Sequence, residues 1–229
     1  MSETMSHTMS HAEPQSLALR SLGDIAASLP GATAIFRRHK LDFCCGGSES
    51  LERAARQKGL DAAAIEAELA ELAPQPGPVC DSTEVLVAHI VERYHNVHRR
   101  ELPELQRLAA RVEAVHAGHP AVPAGLAELL TRMQTALESH MAKEEQVLFA
   151  LMLAGGHPMI GHPIGMMRHE HDEHGEELRA LAALTHDATP PADACNTWRA
   201  LYAGIAKLSE DLTEHMHIEN NILFPRFEG

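Results

Sequence analysis

Two stretches decide the fold: HMAKEEQVLF at 140–149 and HMHIENNILF at 215–224. Both satisfy H-M-x-x-E-x-x-[VI]-L-F. Residues i and i+4 of a helix share a face one turn apart, so His140 aims with Glu144 and His215 with Glu219. Upstream of each stretch lies an H-x-x-H pair, His95 with His98 and His171 with His174. His95 precedes His140 by 45 residues, and His171 precedes His215 by 44. The chain therefore repeats a unit: a helix bearing a histidine, then a helix bearing His-x-x-x-Glu.

Working outward, four helical stretches are expected at about 83–116, 123–153, 164–186 and 192–223. HAGHPAVP, a Gly- and Pro-rich loop at 154–163 and a TPPAD turn separate them. Aromatic residues are only 3%, while Ala, Leu, Glu and Arg dominate, a composition that suits helices over sheets. Four helices with short connections predict an all-α, up-down-up-down bundle over 83–229. Ahead of it, PQPGPVCDST holds three prolines and a glycine and reads as a linker over 74–82 that ends in helix-capping chemistry. Residues 14–73 read as a small helical domain, with a strong helix former at 60–73 and a break at LDFCCGGS (41–48). Residues 1–13, polar and Ser/Thr-rich, read as a disordered leader.

The formal net charge of −13 argues against nucleic-acid and anionic-membrane partners. No apolar run is long enough to cross a bilayer and no signal peptide is visible, so a cytoplasmic location is expected. Cys44, Cys45, Cys80 and Cys195 make no disulfide framework. The adjacent Cys44 and Cys45 read either as a structural pair or as a thiol site for a thiophilic metal or a strained disulfide. A helix opening at Ser48 is expected to lower the thiol pKa.

Of 17 histidines, 14 fall between His89 and His217. In an antiparallel bundle with pseudo-twofold symmetry, the repeated helices aim four imidazoles and two carboxylates at one point. A carboxylate has two oxygens and can bridge two cations, so six such donors suit two metals better than one. Imidazole mixed with carboxylate in a bundle core suits paired iron. The order His-x-x-x-Glu reverses the Glu-x-x-His of the four-carboxylate di-iron bundles. Fewer carboxylates offset less cationic charge, which predicts labile ferrous iron.

His98 and His174 remain rivals to His95 and His171, because three residues along keeps them near the same face. His89, His169 and His217 on helices, and His116, His119, His157, His162 and His186 near loops, take ordinary surface or core roles. Leu148, Phe149, Leu223 and Phe224 are expected to be core packing. Glu170, beside His171, is a candidate for lining access to the metals.

LDFCCGG (41–47), RYHNVHRRELPEL (93–105), SHMAKEEQVLF (139–149), HEHDEHGEEL (169–178), Thr197-Trp198 and EHMHIENNILFP (214–225) resemble the repair-of-iron-centres family, YtfE/ScdA type. The resemblance covers nearly all of the chain after the leader. It implies a hemerythrin-like bundle with a non-haem di-iron centre and a bridging oxo or hydroxo group. The metal ligands it implies are His95, His140, Glu144, His171, His215 and Glu219, with both glutamates bridging, and it selects His95 over His98. The implied role is repair of iron-sulfur clusters damaged by nitric oxide or oxidative stress, by supplying iron, with Cys44 and Cys45 assisting. Partners are then damaged iron-sulfur proteins, nitric oxide as a ligand, and a second copy in a homodimer. Nitric oxide binding or reduction at the same centre is the alternative; an oxygen carrier or sensor is weaker, since it leaves the Cys-Cys domain unexplained. Phe43 stands where the family often has Tyr, and Ala150 where Pro often follows the first Leu-Phe.

Overall fold

The computed structural model describes residues 16–72 and 82–228. The expected leader at 1–13, linker residues 74–81 and Cys80 lie outside the described residues. Among those described, the regular structure is helical throughout. The small N-terminal unit holds α1 (Leu22–Ser28), α2 (Ala32–Arg38), α3 (Leu51–Gln57) and α4 (Ala62–Ala70). Ser21, Ser50 and Asp61 cap α1, α3 and α4 through their side chains, each cap adding about 1 kcal/mol. Leu22, Ile25, Phe36, Phe43, Leu51 and Ile65 build its own core. The helix expected to open at Ser48 begins instead at Leu51, because Ser50 takes the cap position and bonds Arg53 N at 3.3 Å.

The bundle begins with α5 (Thr83–Ile90), capped by Ser82, and runs through a π turn (Val91–His95) into α6 (Asn96–Val115). Helix α7 (Leu126–Lys143) continues through a second π turn (Glu144–Leu148) into α8 (Phe149–Leu153). Helix α9 (Gly161–Thr185) is uninterrupted. Helix α10 (Asn196–Ile218) leads into a third π turn (Glu219–Leu223) and a last 3-10 turn (Phe224–Phe227). The neighbours round the bundle are α6, α7, α9 and α10, in that order, closing back on α6.

Several ends differ from the sequence expectation. Helix α7 starts at Leu126 rather than 123, after Gly125 at φ +88°, a conformation glycine adopts without steric cost. Helix α9 starts at Gly161 rather than 164, because Pro163 falls in the first turn, where its missing N–H costs nothing. Helix α10 starts at Asn196 rather than 192. The three π turns had no signal in the periodicity.

Two apolar clusters fill the bundle. One gathers Leu102, Leu130, Met133, Leu137, Trp198, Leu208 and Leu212; the other Ile90, Leu148, Phe149, Ile164, Leu223 and Phe224. A polar layer of buried histidines and glutamates joins them. The N-terminal unit is seated on the bundle: Cys44 belongs to the first of these clusters, Asn221 Nδ2 donates to Phe43 O at 3.1 Å, and Phe43 packs edge-on to His217.

Candidate metal centre

His95, His140, Glu144, His171, His215 and Glu219 converge in this layer, each 0–1% exposed. Their donor atoms form two groups, His95-Glu144-His215-Glu219 and His140-Glu144-His171-Glu219. His95 Nε2 faces His215 Nε2 at 3.1 Å, and His171 Nε2 faces His140 Nε2 at 3.2 Å. Glu144 sends Oε2 to within 3.3 Å of His95 and Oε1 to within 3.4 Å of His140. Glu219 sends Oε1 to within 3.2 Å of His215 and Oε2 to within 3.1 Å of His171. Each carboxylate thus gives one oxygen to each histidine pair. Two donors bound to one ion at about 2.1 Å stand roughly 3 Å apart, which matches these separations.

The repeat in sequence and the pairs in space cross. The halves are α6 with α7 and α9 with α10, yet the histidine pairs join α10 to the turn before α6, and α7 to α9. Bundle neighbours cause this: the helix start of one half lies against the helix end of the other. The halves stay visible in ring stacking, Phe149 on His95 at 5.8 Å and Phe224 on His171 at 5.9 Å. The two phenylalanines expected as core are core, and also hold imidazoles in place. All three π turns end or begin at a donor: His95, Glu144 and Glu219. Such turns recur at functional sites because the extra residue rotates a side chain out of the regular helical register.

No hydrogen-bond donor among the described residues meets either oxygen of Glu144 or Glu219 with bonding geometry. Four buried carboxylate oxygens without a well-aligned donor, beside four inward-facing imidazole nitrogens, fit a pair of cations. Burial works to raise both glutamates, and the surrounding imidazoles outweigh it, holding them below the ordinary range. Burial and then the neighbouring imidazoles push His215 well below the usual histidine value. At His140, burial is outweighed by Glu144 and Glu170, which lift it to about 10.

Outer partners orient three of the four rings. His95 Nδ1–H donates to Glu145 at 2.7 Å, itself held by Arg99 at 2.8 Å. His171 Nδ1–H donates to Asn220 Oδ1 at 2.9 Å. His140 Nδ1–H donates to Glu170 at 3.0 Å, with Lys143 on the other oxygen at 2.5 Å. The hydrogen bonds from His140 and Lys143 hold the Glu170 carboxyl at about 2, against partial burial. Glu170 is thus bonded to an imidazole of the centre. Sequence reasoning missed Glu145 and Asn220. The signal was available, since each directly follows the glutamate of the repeat.

His98 and His174, the rivals to His95 and His171, belong to neither donor group but lie beside them. They are 1% and 2% exposed, and the Nε2 of each has no partner among the described residues. His98 lies 5.7 Å, ring to ring, from His215, and His174 lies 5.1 Å from His140. His217 is buried against Phe43 and Asn221, and His116 and His119 pack on Trp198 at 5.0 and 5.3 Å.

Asp42, Cys44 and Cys45 form a third group whose donor atoms lie close enough for one ion. Cys45 Sγ–H donates to His171 O at 3.4 Å, and Cys44 Sγ lies 3.7 Å from Cys45 Sγ. The lowered thiol pKa expected of this turn does not hold for Cys44. The hydrogen bond with Cys45, then burial, raise it well above the usual value, and the nearest helix start is seven residues on, at Leu51.

The described helices include none long and apolar enough to cross a membrane. Residues 86–227 match the model of the hemerythrin HHE cation-binding domain, and residues 18–73 match ScdA_N, a domain of unknown function. The chain is 47% identical to the iron-sulfur cluster repair protein YtfE of Dickeya chrysanthemi, over 90% of this chain and 96% of that one. It is 50% identical to the protein of that name from an Enterobacter species and 48% to that from Escherichia coli O81, over 90% of this chain and 94% of each relative.

Proposed function

The chain belongs to the YtfE family of iron-sulfur cluster repair proteins, and from that membership we propose that it holds two non-haem irons and supplies iron to clusters damaged by nitric oxide or oxidative stress. The observation that carries this reading is the placement of Glu144 and Glu219, each with one oxygen on either histidine pair. His95 and His215 would hold one ion, His140 and His171 the other, with both glutamates bridging. Bound there, ferrous iron is the cargo that a damaged cluster lacks. The protein's part is to hold that cargo without locking it in. Two carboxylates and four neutral imidazoles leave the charge of two ferrous ions only partly offset in a buried layer, a condition that favours release. The Asp42-Cys44-Cys45 group is the proposed thiol site of the delivery step, and damaged cytoplasmic iron-sulfur proteins are its partners.

The test starts with anaerobic purification and metal counting, followed by Mössbauer spectroscopy and transfer to an enzyme whose cluster nitric oxide has destroyed. Two coupled irons per chain and restored enzyme activity are expected. One metal per chain, or zinc as the native ion, would overturn the reading. Cys44→Ala/Cys45→Ala should keep both irons and lose repair rate.

His98 and His174 favour a second reading, nitric oxide binding or reduction at the same centre. A buried imidazole nitrogen without a partner costs about 1–3 kcal/mol, and a small ligand beside each pair would satisfy it. Nitric oxide turnover on the same sample decides between the readings.

A further inference from the structure

We propose that the two iron positions are unequal by construction, and that the ion between His95 and His215 is the one given up first. The inference rests on the di-iron reading above and adds which ion is the cargo.

The repeat supplies matching donors but not matching supports. His95 and His171 occupy equivalent positions, and each has an outer acceptor, Glu145 at 2.7 Å and Asn220 at 2.9 Å. His140 and His215 are also equivalent. His140 has Glu170 at 3.0 Å, whereas His215 Nδ1 is fully buried and meets no partner among the described residues. One position makes the difference. The residue before His171 is Glu170; the residue before His95 is Tyr94. Tyr94 lies flat on the His215 ring, 5.5 Å between centroids and 4° between planes. A ring face holds the imidazole's orientation but accepts no N–H from it. A histidine whose outer N–H is bonded to a carboxylate or carbonyl is a stronger donor, and losing that bond weakens metal affinity roughly 10–100-fold. The His140/His171 pair has both supports, and the His95/His215 pair has one.

The surroundings differ as well. A cavity of about 400 Å³ is lined by Leu86, His89, Glu214 and His217, and the His89 ring meets Tyr94, the residue stacked on His215, edge-on at 5.6 Å. On the other side, Glu170 and Lys143 form an ion pair over His140.

The experiment mixes anaerobic two-iron protein, full length, with excess chromogenic ferrous chelator and follows release by stopped flow. Two phases of equal amplitude are expected, one iron each, with rates roughly 10–100-fold apart. Glu170→Ala and, separately, Asn220→Ala should speed the slow phase and leave the fast one in place. Glu145→Ala should speed the fast phase. Refilling the emptied position with ⁵⁷Fe should give a single Mössbauer doublet. Release of both irons in one phase, or Glu170→Ala and Asn220→Ala acting only on the fast phase, would overturn the assignment. Uptake of fewer than two irons would instead remove the di-iron reading together with it.

Discussion

Asn220 accepts the Nδ1–H of His171 at 2.9 Å, and its own Nδ2 donates to the Cys44 carbonyl at 3.1 Å. A single buried side chain therefore links the cysteine turn of the N-terminal unit to an imidazole of the candidate centre. Cys45 touches the same residue from another side, through the His171 carbonyl.

Asn220→Ala should weaken iron retention roughly 10–100-fold, by removing the acceptor that fixes the His171 ring. Asn220→Asp keeps the acceptor and loses the bond to Cys44, so it should retain iron better. Chelator competition on both variants measures the difference. Equal retention in the wild type and in Asn220→Ala would reduce this bond to packing.

Glu144→Leu and Glu219→Leu should each disturb both irons at once, since each carboxylate serves both histidine pairs. Loss of magnetic coupling and of bound iron is the expected outcome, read by Mössbauer spectroscopy and metal counting. His95→Ala should release iron, and His98→Ala much less, because His98 belongs to neither donor group. The reverse order would exchange their roles.

Asp211 ties the turn before α6 to α10, accepting from Arg93 at 2.7 and 3.1 Å and from Lys207 at 2.8 Å. Burial works to raise its pKa, and the bonds from Arg93 and Lys207 outweigh it, so the folded value lies below the unfolded one. Its stabilisation is therefore present above about pH 4 and lost as pH falls through the folded value. Asp211→Asn should cost about 1–2 kcal/mol at pH 7, discounted for the half-exposed Arg93. In urea melts of the metal-free protein, the gap to wild type should narrow toward pH 3. A constant gap would assign the effect to packing.

Gly47→Ala should loosen the seat of the N-terminal unit, because a Cβ there would stand 2.6 Å from Phe43 O and 2.9 Å from Asn221 Oδ1. Cys44, buried in the wild type, should then react faster with a thiol reagent. A chain starting at Ser82 keeps all six donors but strips Asn220 and Asn221 of their carbonyl partners. It should bind iron and release it faster from the His140/His171 side. Unchanged release would show that the seat has no hold on the centre.

The sequence by itself determined the helical class and the two His-x-x-x-Glu pairs. An i,i+4 pair shares a face in any helix, and two copies with upstream histidines 45 and 44 residues away point to one centre; the spacing left His98 and His174 as rivals, and the family resemblance selected His95. It also separated Leu148, Phe149, Leu223 and Phe224 as core. Spacing along one helix says nothing about which helices become neighbours, so only the tertiary structure decided that His95 pairs with His215 and His140 with His171. The π turns were invisible for a related reason: they are compromises between backbone bonding and donor placement, and no residue type marks them. His98 and His174 stayed rivals in the pattern because three residues along a helix keeps the same face; the packed bundle buries them beside the donor groups without joining either. The unequal supports of His140 and His215 likewise exist only once Glu170 and Tyr94 meet rings on other helices, where one side chain accepts a proton and the other offers only a face.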